Sequence, residues 1–170
     1  MMTVTVLVGR DPRPSIQKKR GRILHQALYF VEKKEDLAAP SSVVKKAFFS
    51  LGERMRGWDV EHDFETPLKG LLKLKEIDLF FPQKSLMILK EREFIEPCKQ
   101  GSTLKVHRPD RVVVYDDKCV VVEYKGEEGE KYYDLHEKQL LTYKDIVEKV
   151  FLKPVEPYLL YVQRRRCIRL

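Results

Sequence analysis

The sequence predicts an α/β domain, on three observations. Apolar residues recur at helical spacing through the first third, two β-branched runs flank a tight turn in the middle, and a second helical pattern precedes an apolar strand near the carboxyl end. At 170 residues the chain suits one domain able to bury a real core.

Residues 1–15 open with the alternating run TVTVLV and break at Gly9, Pro12 and Pro14, an N-terminal arm or linker; the domain is expected over 16–170. From Ser15, a candidate N-cap, Ile16, Leu24, Ala27, Leu28 and Val31 have the spacing of an amphipathic helix. His25 lies at the edge of that stripe, one turn from Gly21 and Leu28, and on the helix alone it reads as a packing residue. Pro40 then ends one segment, and Ser41 or Ser42 caps another with Val44, Ala47, Phe48, Leu51 and Met55 on one face. A third helical pattern starts at Thr66 with Pro67 in its first turn and runs through Leu68, Leu71, Leu72 and Ile77. Trp58 and Phe64, between the two, are expected to plug the core.

Pro82 closes the helical region, SLMILKEREFI reads as a first strand, and a polar loop runs through Gly101. The stretch RVVVYDDKCVVVEYKG is a hairpin: Val112–Val114 and Val120–Val122 flank Asp116 and Asp117. A turn centred between the two aspartates makes Tyr115 face Lys118 and Asp110 face Glu123. One face then carries Arg108, Asp110, Val112 and Val114 opposite Lys125, Glu123, Val121 and Cys119, apolar at the turn and charged at the far end. Pro109 removes a ladder donor and predicts a bend just before Asp110.

Carboxylates opposed at Cβ separations of about 4.5–5.5 Å repel, so this placement calls for a cation. A divalent metal with oxygen ligands fits best, and Lys125 points to the same side, where it could hold or polarise an attacking water. A register slipped by one residue would separate the acids. The plain alternative is a solvated strand end with Arg108 and Lys125 neutralising them.

After Gly126 a loop leads to Asp134, a cap for a helix with Leu135, Leu140, Ile146, Val147 and Val150 inward. Gln139 and Tyr143 share that face, and a buried glutamine needs a partner, either a neighbouring loop or a substrate backbone. PYLLYV is a strand, and RRRCIRL is a basic terminus, phosphate-binding or merely solubilising.

Lys and Arg number 33 against 26 Asp and Glu, a net charge of +7 that suits a polyanionic partner. The three cysteines are odd in number, far apart and in no CxxC pairing, which argues against disulfides, zinc or an iron–sulfur cluster and for a reduced, cytoplasmic setting. No apolar run approaches the roughly 18 residues of a membrane span, and no signal sequence is read at residues 1–10.

In order, the pieces are Gly21-x-x-x-His25, Pro109-Asp110, Glu123-Tyr124-Lys125 after twelve intervening residues, and Gln139-x-x-x-Tyr143 on a following helix. This set resembles the PD-(D/E)XK nuclease superfamily, in its RecB-type branch found beside DNA helicases, over nearly the whole chain. The resemblance implies a restriction-endonuclease-like αβββαβ core with a mixed central sheet; this chain has extra N-terminal helices besides. It implies that His25, Asp110 and Glu123 ligate Mg²⁺ or Mn²⁺, that Asp110, Glu123 and Lys125 are catalytic, and that Gln139 and Tyr143 touch DNA or brace the site. The implied activity is metal-dependent DNA hydrolysis, exonucleolytic, in repair or recombination, with single- or double-stranded DNA as substrate and a helicase domain or subunit as partner.

Two departures stand out: the branch commonly has aspartate where Glu123 stands, and the chain lacks the four cysteines of cluster-bearing relatives. One rival is a non-cutting, nuclease-like module that grips DNA for a helicase or recombination complex. Another is a dimeric junction resolvase, whose relatives usually carry glutamate at the position of His25.

Overall fold

The structure, a computed structural model, describes residues 15–97, 104–126 and 133–170. It is an α/β fold in which a mixed five-stranded sheet separates two apolar cores. The arm expected over 1–15, save Ser15, lies outside the described residues, as do the polar loop around Gly101 and most of the loop after Gly126.

Helix α1 (Ile16–Phe30) starts at Ser15, whose hydroxyl accepts from the Lys18 N–H at 3.3 Å, the expected cap. It buries Ile23, Leu24, Ala27 and Leu28, whereas Ile16 in the first turn is exposed. Helices α2 (Glu35–Ala38) and α3 (Ser41–Ser50) follow. Contrary to the expected serine cap, Pro40 occupies the cap position of α3, and the Ser41 hydroxyl donates to Glu65 at 2.6 Å.

The single helix expected from Thr66 is instead a broken path. A π-helical turn (Glu61–Glu65) leads into α4 (Thr66–Gly70), a 3₁₀ turn (Leu71–Lys73) and, after extended Leu74, α5 (Ile77–Phe80). Its apolar side chains still point inward: Phe64, Leu68, Leu71, Ile77 and Phe80 are buried. Trp58 and Phe64 meet Phe48 edge-on at 6.5 and 5.2 Å, the core plug read from the sequence.

Strand β1 (Met87–Lys90) stops where Glu91 turns left-handed at φ 48°, so the run expected as one strand splits. Its second half, β2 (Phe94–Pro97), pairs with β3 (Leu104–His107) in a separate ribbon, so a further strand lies between the polar loop and the hairpin. Next come β4 (Arg111–Val114), β5 (Cys119–Lys125), α6 (Tyr133–Phe151), β6 (Val155–Tyr161) and β7 (Arg166–Arg169). The basic terminus is thus a strand too, because Cys167 and Ile168 alternate between the two cores. The main sheet runs β1-β4-β5-β6-β7, parallel only between β5 and β6.

The hairpin has the register in which Asp110 comes opposite Glu123. Arg111 pairs with Val122 and Val114 with Cys119, and the turn closes through the Tyr115 N–H donating to Lys118 O at 2.8 Å. Strand alternation sends Val112, Val114, Cys119 and Val121 toward α6, and Val113, Val120, Val122 and Tyr124 toward α1. Helix α6 buries Leu140, Tyr143, Ile146 and Val147; Leu135 and Val150, expected inward, lie near its ends and are 64% and 56% exposed. Among the described residues no helix is long and apolar enough to cross a membrane.

Arg111 is 1% exposed and ties α1 to the sheet. Its guanidinium donates to Val31 O at 2.7 Å, Leu28 O at 3.3 Å, Phe80 O at 3.2 Å and the Tyr124 hydroxyl at 2.9 Å, and it stacks on Phe81 at 4.4 Å. A fixed fork of five N–H donors suits that spread of acceptors, and a cation at the carboxyl end of α1 favours the helix dipole. Arg111→Met fills the volume but takes the donor from the buried carbonyls of Val31 and Phe80 and from the Tyr124 hydroxyl, leaving Leu28 O only its bond from the Val31 N–H. It is expected to lower unfolding free energy by about 3–5 kcal/mol in a urea titration, and a change under about 1 kcal/mol would contradict this anchoring role.

Candidate metal centre

Asp110 sits at a bend between buried Pro109 and the start of β4, as the proline predicts. That bend leaves its carboxylate bridging two elements. Oδ2 accepts from the Tyr124 N–H of β5 at 2.7 Å, and Oδ1 lies 2.7 Å from Nε2 of His25 on α1. The Asp110 N–H in turn donates to Glu123 Oε2 at 3.4 Å. The two acids are therefore neighbours on one side of the sheet, and the imidazole reaches them around its open end.

His25 is held between two carboxylates, with Nδ1 3.4 Å from Glu91 Oε1. Burial lowers its pKa, but the hydrogen bond and charge of Asp110, with Glu91 and Glu123 behind, outweigh that and raise it. Its ring also meets Tyr124 edge-on at 5.7 Å. Gly21, one turn earlier, leaves open space above it. The histidine read on the helix alone as a packing residue is thus drawn into an acidic cluster.

Glu123 is 4% exposed, and its carboxyl is pushed up to about 7, first by burial and then by the charge of Asp110. Lys125 pulls the other way, with Nζ 2.9 Å from Glu123 Oε1. Lys125 also donates to Gln139 Oε1 at 3.1 Å, and Gln139 Nε2 donates to the Tyr143 hydroxyl at 2.8 Å. The half-buried glutamine therefore finds its partners inside the site: one end orients the lysine, and the other is fixed by the tyrosine. These bonds use two of the three ammonium hydrogens.

All six residues singled out from the sequence belong to one connected network. Two corrections refine it. Arg108 is exposed, and the groups set against the acids are the His25 imidazole and the Lys125 ammonium. Glu91 joins the site unforeseen, because its position depends on a left-handed residue in a run that reads as continuous strand.

Two carboxylates with an imidazole form a donor set suited to Mg²⁺ and, through the nitrogen, somewhat better to Mn²⁺. In the arrangement described, the imidazole is hydrogen-bonded to Asp110 and the ammonium to Glu123. Among the described residues no three His, Cys, Asp or Glu side chains already enclose a metal-sized point. Binding an ion would displace the proton shared by His25 and Asp110.

Beside the network, between α1 and β1, opens a cleft of about 560 Å³ lined by Gln26, Tyr29, Lys90, Glu91 and Arg92. On the other side a space of about 20 Å³ lies between Gly21, His25, Lys125 and Gly126, room for about one water. Cys119 and Cys167 are free thiols away from this network, and Cys98 lies outside the described residues. No family model matches the chain, and no curated protein matches it.

Proposed function

We propose that the chain is a metal-dependent deoxyribonuclease of the PD-(D/E)XK type, hydrolysing phosphodiester bonds in DNA with Mg²⁺ or Mn²⁺ held by His25, Asp110 and Glu123. One observation carries this reading: four groups from distant parts of the sequence, His25, Asp110, Glu123 and Lys125, converge around two adjacent carboxylates, one of them buried. Burying like charges together is costly, and a structural ion pair does not need the second acid. The order α1, β1, β4, β5, α6, β6, with β5 and β6 parallel, supports the αβββαβ reading, with β2–β3 inserted and β7 added.

A divalent ion bound there would supply Lewis acidity toward water and phosphoryl oxygens. The chain's own residues do the rest. Lys125, oriented by Glu123 and Gln139, has one hydrogen left to hold the attacking water or to offset charge growing on the phosphate. Tyr143 steadies Gln139 and, through it, the lysine. The cleft along Tyr29 and Arg92 leads a strand to the acids. Exonucleolytic action beside a helicase, in repair or recombination, is part of the proposal.

Incubation of the protein with labelled single-stranded and duplex DNA tests it. Degradation is expected with Mn²⁺ or Mg²⁺ and none in EDTA. Tight DNA binding without degradation in either metal would instead favour the non-cutting module.

A further inference from the structure

A second pocket lies along α1 on the side away from the cleft, about 200 Å³ in volume, lined by Arg20, His62, Asp63, Thr66, Gln163 and Arg165. We propose that it is a phosphate site, which rests on the nucleic-acid reading and adds to it a fixed grip on the backbone beyond the cutting centre. Two guanidiniums face one carboxylate there. Arg20 Nη2 lies 3.3 Å from Asp63 Oδ1, and the imidazole of His62 is 3.6 Å from the same oxygen, so Asp63 is already answered.

Arg20 Nε is buried and has no hydrogen-bond partner among the described residues. The Arg20 side chain keeps 26% of its surface exposed, and that open part, with Arg165 lining the same pocket, is what an anionic oxygen would meet. Arg165 is seated for the task. It follows the end of β6 with a left-handed backbone (φ 52°), and its side chain lies over Gly70 so closely that a Cβ there would overlap its Cδ.

Gly70 is helical and its φ of −62° suits any residue, so its lack of a side chain serves Arg165 and not its own backbone. Thr66, at the start of α4, adds a hydroxyl to the same wall. Arg20 and His25 stand five residues apart on α1, about 7.5 Å along the axis. Five residues also turn about 140° around the helix, so the pocket and the acidic centre lie on different sides of α1.

The shared chemistry is a phosphate, either a terminal monoester or an internal diester. Binding measured in EDTA by fluorescence anisotropy, with short oligonucleotides bearing a 5′-phosphate, a 3′-phosphate or no terminal phosphate, needs no hydrolysis. Arg165→Gln is expected to weaken binding about tenfold and to lower the salt slope by about one. Gly70→Ala keeps every charge and adds a better helix former, yet it displaces the guanidinium and should weaken binding by several-fold.

Preference for one phosphorylated end would assign the pocket to a terminal monoester. Equal loss across the three probes would assign it to an internal diester, and either supports the site. Parental affinity in both folded variants would overturn it. Parental phosphate binding with no cleavage in any metal would sink the nuclease reading and leave the pocket standing.

Discussion

If the chain cuts DNA as proposed, Asp110→Asn is expected to lower metal-dependent cleavage by about a thousandfold or more and to leave the variant folded. Asparagine keeps the shape and an acceptor oxygen for the Tyr124 N–H, now at 2.7 Å, so the join between the bend and β5 survives. Alanine would be a poorer test, because Tyr124 is buried and its orphaned N–H would cost about 1–3 kcal/mol. What asparagine removes is the negative charge that His25 and a divalent ion compete for. Lys125→Met is the companion, expected to cost about 10²–10³ in rate. Calorimetric titration with Mn²⁺ separates the two: Asp110→Asn should bind the ion far more weakly, and Lys125→Met should bind it at least as well as the parent. Cleavage by Asp110→Asn at the parental rate would remove the acid from the mechanism.

The hairpin was legible because two short β-branched runs around a pair of aspartates admit few registers, and only one buries both valine sets. Pro109 announced the bend for a covalent reason, the missing N–H. Gln139 and Tyr143 were legible as a pair one turn apart, though not their link to Lys125, which depends on α6 crossing β5 at that height.

The rest depended on tertiary context. Leu104 and Val106 fall in a stretch that reads as loop because the ribbon they form with the strand of Ile95 leaves all three exposed, while Phe94 turns to the core. Arg111 reads as a charged flank of an apolar strand. Its burial requires carbonyls from α1 and α5 that no local pattern predicts. Glu91 needed a left-handed turn at a residue with no preference for one.

Glu123→Gln is expected to stabilise the metal-free protein at pH 8 while abolishing its response to metal. Burial, then the charge of Asp110, lift the Glu123 carboxyl from its ordinary 4.5 to about 7. Between those values the folded protein holds a proton that the unfolded chain has released. The stability from this group is therefore complete below pH 4.5 and is lost as pH rises through 7, a penalty of about 3 kcal/mol at pH 8. His25 acts in the same sense: its folded pKa is raised, so its contribution is full below 6.5 and fades as pH climbs through the folded value.

A neutral glutamine escapes most of that penalty, keeps an acceptor for Lys125, and gives up only the long 3.4 Å bond from the Asp110 N–H. The net gain is expected to be about 2 kcal/mol, read as a higher urea midpoint in EDTA at pH 8 and little difference at pH 5. Millimolar Mn²⁺ should reverse the ranking, because only the parent gains binding energy in the folded state. A variant less stable than the parent at pH 8 in EDTA would mean that Glu123 is a well-satisfied structural ion-pair partner. The two adjacent acids would then have lost their reason to await a cation.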